Sequence, residues 1–199
     1  MSTTGKIFAA WGNPRGVMRD QMNAGDIDGR ALTFILIAGI LLSIANLPNA
    51  MLQGGLTDDA ASEPAAALIA ARFFQVAIGA LALALVGLLV APLSHLVARA
   101  FGGVGSWATT RLALSWSLMT LVPLALLSGV LLAVGVASDT TWLVEASFLA
   151  GLAGQLVLLY VWSGSLAEAE GFSRTWPTML IMAAIFIALY GILTLRILA

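Results

Sequence analysis

Almost everything after Arg30 falls into five apolar runs, roughly Ala31–Leu52, Leu68–Leu93, Leu112–Val136, Trp142–Leu166 and Trp176–Leu195. A membrane-crossing helix needs about 20 mostly apolar residues at about 1.5 Å rise each, and every run meets that length. The fold expected is therefore all-α, an integral membrane bundle of five transmembrane helices. Composition agrees: 60% of the 199 residues are hydrophobic and only 10% are charged, against about 25% charged in a soluble domain.

Composition also removes several function classes. A net charge of −1 offers no clustered cations for phosphates, so no nucleic-acid partner is expected. The chain has no cysteine and one histidine, which excludes a disulfide framework and a Cys/His metal cage. No cofactor is expected either. Residues 1–30 lack an apolar core followed by a small-residue cleavage site, so they do not read as a signal peptide.

The basic residues fall unevenly between the runs. Lys6, Arg15, Arg19 and Arg30 precede the first run, Arg99 and Arg111 bracket the second connection, and Arg174 lies in the fourth. The first connection carries Asp58, Asp59 and Glu63, and the third carries Asp139, without a Lys or Arg in either. Because Lys and Arg collect on the cytoplasmic side, the N-terminus is expected inside and Ala199 outside a bacterial inner membrane. Arg72, about one turn into the second run, suits an anchor that snorkels to the outer interface.

Two organisational units follow: a cytoplasmic amphipathic segment over 1–30 and a transmembrane domain over 31–199. Within the first, Asn13-Pro14 reads as an N-cap followed by proline at the first helical position, with Gly25 as the stop. Val17, Met18 and Met22 share one helical face, and Ile7, Phe8 and Trp11 form a second apolar stripe beside Lys6. Three placements fit such short amphipathic helices, docking to a partner being the least supported. They lie on the headgroups, with Lys6, Trp11, Arg15 and Arg19 as membrane-surface contacts, or they pack against the protein's own loops.

Polar residues inside the runs are few, among them Ser43, Gln75, His95, Ser115, Ser128 and Gln155. Hydroxyls there serve as packing glue worth roughly 1 kcal/mol or less, and Gly79, Ala80, Gly87, Gly129, Gly151 and Gly154 permit close helix approach. Pro48, Pro92 and Pro123 are expected to kink or end helices. Gln155, near the middle of its run, is the polar group most expensive to leave unpaired.

Catalytic patterns are weak. Ser128-Gly129 and Ser163-Gly164 lack a flanking G-x-S-x-G, and neither serine can be placed beside His95 from sequence. Glu168 and Glu170, followed by Arg174, are not adjacent as an intramembrane glutamate protease would need. Walker and dinucleotide fingerprints are absent. Intramembrane charges and an even repeat, the marks of an ion-coupled transporter, are not evident. No catalytic residue is assigned.

One stretch carries more than composition. His95-Leu-Val-Ala-Arg99-Ala-Phe101-Gly102-Gly103-Val-Gly105-Ser106-Trp107 runs on to Leu112–Pro123: a basic helix end, a glycine-rich loop with a hydroxyl-aromatic pair, and a helix with internal proline. It resembles the core of the Yip1 domain family, where such a loop joins the second and third of five crossings. The glycines allow φ > 0, and Trp107 suits the interface. The resemblance implies a candidate family motif of His95, Arg99, Gly102, Gly103, Gly105, Ser106, Trp107 and Pro123. Eukaryotic relatives serve vesicle traffic and contact small GTPases through a longer acidic-aromatic arm. This chain's short basic arm lacks that motif, which puts GTPase binding in doubt and resembles the bacterial branch.

The function expected is that of a non-enzymatic inner-membrane protein, organising membrane or packing as an accessory in a larger assembly. Its partners would be membrane lipids and other integral membrane proteins. The alternative is a small passive transporter or lipid-binding protein, with a hydrated cavity lined by Gln75, His95, Ser115 and Gln155.

Overall fold

In a computed structural model of the chain, residues 2–53, 65–180 and 182–183 are described. They include seven helices, α1 (Thr3–Gly12), α2 (Pro14–Asn23), α3 (Ile27–Ala45), α4 (Leu47–Gln53), α5 (Ala65–Ala100), α6 (Trp107–Ala137) and α7 (Thr141–Ala169), and residues 176–180 are helical as well. Four of them, α3, α5, α6 and α7, are long and apolar enough to cross a membrane. The all-helical bundle expected from the apolar runs is observed, with no strand among the described residues. The fifth run, Trp176–Leu195, lies outside the described residues from 184 onward, as does Ala199.

The bundle is organised around α6, which packs against α3, α5 and α7. Contacts along the helices fix their relative directions. Asp28 meets Arg111 and Phe34 meets Trp116, while Ala45 backs onto Gly129 at the other end, so α3 and α6 run parallel. Ile35 faces Gly87, Gly39 faces Ala80 and Ser43 faces Gly79, so α3 and α5 run antiparallel. Ser128 donates to the Ser147 carbonyl and Thr109 to that of Ala169, so α7 returns antiparallel to α6. All four helices therefore share a basic end, carrying Arg30, Arg99, Arg111 and the close of α7, and a far end carrying Asp139.

Small residues set the helix separations. A Cβ on Gly39 would lie 2.9 Å from the Ala80 carbonyl oxygen, and one on Gly154 would lie 2.8 Å from Leu121 Cδ1. A Cβ on Gly129 would strike the Ala45 carbonyl outright. Without a hydrophobic drive between helices in lipid, this close van der Waals approach is the main source of adhesion.

Prolines act unequally. The first run, Ala31–Leu52, is broken at Asn46 into α3 and α4. Pro48 has no N–H to donate and its ring clashes with the carbonyl four residues back, which ends α3 there. Pro92 and Pro123, by contrast, lie inside α5 and α6 without ending either.

The N-terminal helices form as their caps dictate. Ser2 accepts from the Gly5 amide and Asn13 from the Gly16 amide, with Pro14 opening α2. Gly25 adopts φ +73° just past the helix, a backbone region that glycine enters without strain. Their apolar stripes turn inward: Ile7, Ala10 and Val17 join the core with Trp116, Val161, Trp162 and Leu166, and Met18 packs with Leu112 and Ala113. Trp11 Nε1 donates to the Thr120 carbonyl at 3.2 Å. Thirteen residues separate Thr120 from the start of α6, about 20 Å at helical rise, so this hairpin is inserted against the bundle as well as lying over its end.

Candidate functional site

At the basic end, α5 stops in a turn that sequence had marked by its glycines. Gly102 takes φ +88°, and the Gly103 amide closes back on the Ala98 carbonyl at 2.9 Å. Gly103 and Gly105 serve a different need, close approach. A Cβ on Gly103 would sit 2.8 Å from Glu170 Oε2, and one on Gly105 would collide with the Ala169 carbonyl. Ser106 then caps α6 in a reciprocal capping box with Thr109, which satisfies otherwise orphaned amides.

The loop is shaped around Glu170, at the end of α7. This carboxylate is fully buried, and three elements satisfy it. Oε1 lies 2.7 Å from His95 Nδ1 of α5 and accepts from Thr110 Oγ1 of α6 at 2.6 Å; Oε2 accepts from the Gly105 amide at 3.1 Å. The Val104 amide adds a bond to the Glu170 carbonyl at 2.9 Å. Trp107 lays its indole over the imidazole, with centroids 4.3 Å apart. A buried acid is tolerated only where its lone pairs are met, and here each of the three bonds comes from a different segment. One proton lies between Nδ1 and Oε1, whichever atom carries it. The cluster therefore clamps α5, the loop, α6 and α7 together.

A second acid two residues earlier performs the same service for the N-terminal hairpin. Glu168 Oε2 accepts from Arg15 Nε at 2.9 Å and Oε1 from Arg19 Nε at 2.7 Å. Arg15 also donates to the Phe172 and Ser173 carbonyls at 2.7 and 3.0 Å, placing a cation where the negative pole of α7 emerges. The hydrogen bond to Glu168, reinforced by its charge, raises the Arg19 guanidinium above its ordinary value.

The structure thus brings together His95, Gly103, Gly105 and Trp107 from the family motif, framed by Gly102 and Ser106. Arg99 stays exposed, with one long bond of 3.4 Å to the Gly103 carbonyl. Pro123 is separate, three residues beyond the Thr120 carbonyl that Trp11 engages. Of the residues read as membrane-surface contacts, Trp11, Arg15 and Arg19 make the internal bonds just described, and Lys6 remains half-buried. The residues expected to line a hydrated cavity do not meet. Gln75 accepts from Arg72, His95 belongs to the Glu170 cluster, Ser115 lines a cleft beside α3, and Gln155 is exposed on α7. Alternate faces of long helices separate them, a separation that polarity alone does not reveal.

Sequence reasoning missed Thr110, Asp28 and the roles of Glu168 and Glu170. The available signal was two acids at a run's end where arginines gather. No group of three or more His, Cys, Asp or Glu that would hold a metal occurs among the described residues.

No curated protein and no solved structure matches the chain. A family model described as the Yip1 domain matches residues 8–196, which takes in the inserted N-terminal helices from Phe8 onward as well as the four crossings. With nearly the whole length matched, the chain belongs to the Yip1 domain family.

Proposed function

We propose that this protein is a non-enzymatic organiser of the membrane, packing as an accessory component within a larger assembly of integral membrane proteins. The reading carries a bacterial inner-membrane location with the basic end in the cytoplasm, following the distribution of Lys and Arg. One observation supports it above the others: the groups best suited to acid–base chemistry are committed to holding helices together. His95 and Glu170 tie α5 to α6 and α7, and Glu168 ties the N-terminal hairpin to α7. Meanwhile α5 keeps Phe73, Phe74, Ile78, Leu81 and Leu89 on an outward apolar face, available to lipid or to another protein's helix.

Affinity purification of the full chain in mild detergent, followed by chemical cross-linking, tests the reading. Recovery with a stoichiometric integral membrane partner, cross-linked through cysteines placed at Phe73 or Ile78, is the expected result. An isolated monomer with no cross-linked partner would overturn it. Orientation is checked separately by thiol labelling of a cysteine at Ser2, which should be protected in intact cells and labelled after lysis.

A further inference from the structure

On the side of the bundle away from α7, α3 and α5 part near the basic end and leave a cleft of about 300 Å³. Ala84, Gly87 and Ala91 of α5 line one side, and Ser115 of α6 lies within. Leu32 and Leu88, also lining it, are 55% and 50% exposed, so the cleft opens sideways, toward lipid in a membrane. From Ala91 to Ala84 it runs about 10 Å along the helix. At its basic end stand Asp28 and Arg111. The cleft is therefore apolar along its length and charged at one end, the pattern of a lipid chain below its headgroup.

The charged end narrows the choice of lipid. Arg111 Nη2 donates to Asp28 Oδ1 at 2.6 Å, while Arg111 Nε is buried with no partner among the described residues. Asp28 is 67% exposed, so its carboxylate retains free acceptor positions. The site thus offers a guanidinium that is 40% exposed and suited to phosphate, beside a carboxylate that accepts N–H. A purely anionic headgroup meets repulsion from Asp28. A quaternary ammonium has no N–H to give it. A headgroup with a phosphate and a primary ammonium satisfies both.

We propose that this cleft is a binding site for phosphatidylethanolamine, with one acyl chain lying on the lipid-facing side of α3 and α5 over the contact of Ile35 with Gly87, the phosphate on Arg111 and the ammonium on Asp28. The proposal does not depend on the assembly reading above, since it concerns lipid class and not a protein partner.

The test uses the full chain in mild detergent, titrated with phosphatidylethanolamine, phosphatidylcholine and phosphatidylglycerol and read by native mass spectrometry. Phosphatidylethanolamine should be retained roughly tenfold better than either of the others, the effect of one charged contact. Arg111→Gln should reduce its retention about tenfold. Asp28→Asn, at an exposed position, should abolish the preference over phosphatidylcholine. Ala84→Phe, which fills the cleft, should reduce retention of all three. Equal retention of the three lipids by the unaltered chain, or a preference for phosphatidylglycerol, would overturn the proposal. So would an unchanged preference in Asp28→Asn, which decides the matter even where Arg111→Gln fails to fold. Helical content by circular dichroism accompanies each variant.

Discussion

The two ends of the bundle adhere by different means. At the basic end, buried or half-buried acids meet named partners: Glu170 with His95, Thr110 and the Gly105 amide, and Glu168 with Arg15 and Arg19. Toward the far end, adhesion is spread over small residues, Gly79 against Ser43, Gly129 against Ala45 and Gly154 against Leu121, with one interhelical hydroxyl bond from Ser128 to the Ser147 carbonyl. Directional ties concentrate free energy in a few groups, so a single change there removes much of it. Distributed contact divides it among many, so the far end should tolerate loss of any polar group and resist only added bulk.

Substitutions break or sharpen that contrast. Glu170→Ala should have the largest effect, about 3–5 kcal/mol, because it strips a buried partner from His95 and Thr110. A detergent-solubilised thermal unfolding curve reads this as a fall in Tm, and an unchanged Tm would remove the clamp from the account. Next comes Gly129→Leu, where bulk must push α6 off the Ala45 backbone at a cost of about 1–3 kcal/mol. A cross-link between cysteines at Ala45 and Val130 should then form more slowly.

Glu168→Gln should follow, at about 1 kcal/mol after allowance for the partly exposed arginines. Its distinctive sign is local: protease cleavage within α2 should quicken while the Tm moves little. Raising the salt should mimic that cleavage in the unaltered chain, since screening reaches the Arg19 pair but not the buried Glu170. Ser128→Ala is expected to be the mildest, about 0.6 kcal/mol. If it matched Glu170→Ala, the distinction between the two ends would fail.

Much of the fold was legible because each crossing is a long apolar run and each turn has its own residue chemistry. Asn13-Pro14 opens α2 and Gly25 follows its end, as their side chains and backbone freedom require. The break at Asn46 follows from Pro48, as expected, although the apolar run itself reads straight through it. The clamp was the least legible part. His95 and Glu170 are 75 residues apart, and periodicity within a helix carries no information about which residue of another helix stands opposite. The glycines of the loop were visible, but their purpose was only half read. Gly102 supplies a positive φ, whereas Gly103 and Gly105 leave room for a carboxylate that lies far along the chain.

The bond from Arg15 to Glu168 spans 153 residues. A chain made from its N-terminus at roughly 5–20 residues per second emerges with its opening helices about 8–30 s before the acid that receives them. Through most of that interval the stripe of Ile7, Ala10 and Val17 lacks a complete α6, and α7 follows only at its close. The hairpin is thus the first part synthesised and among the last to be seated, and its docking marks the moment when the fourth crossing has arrived in register.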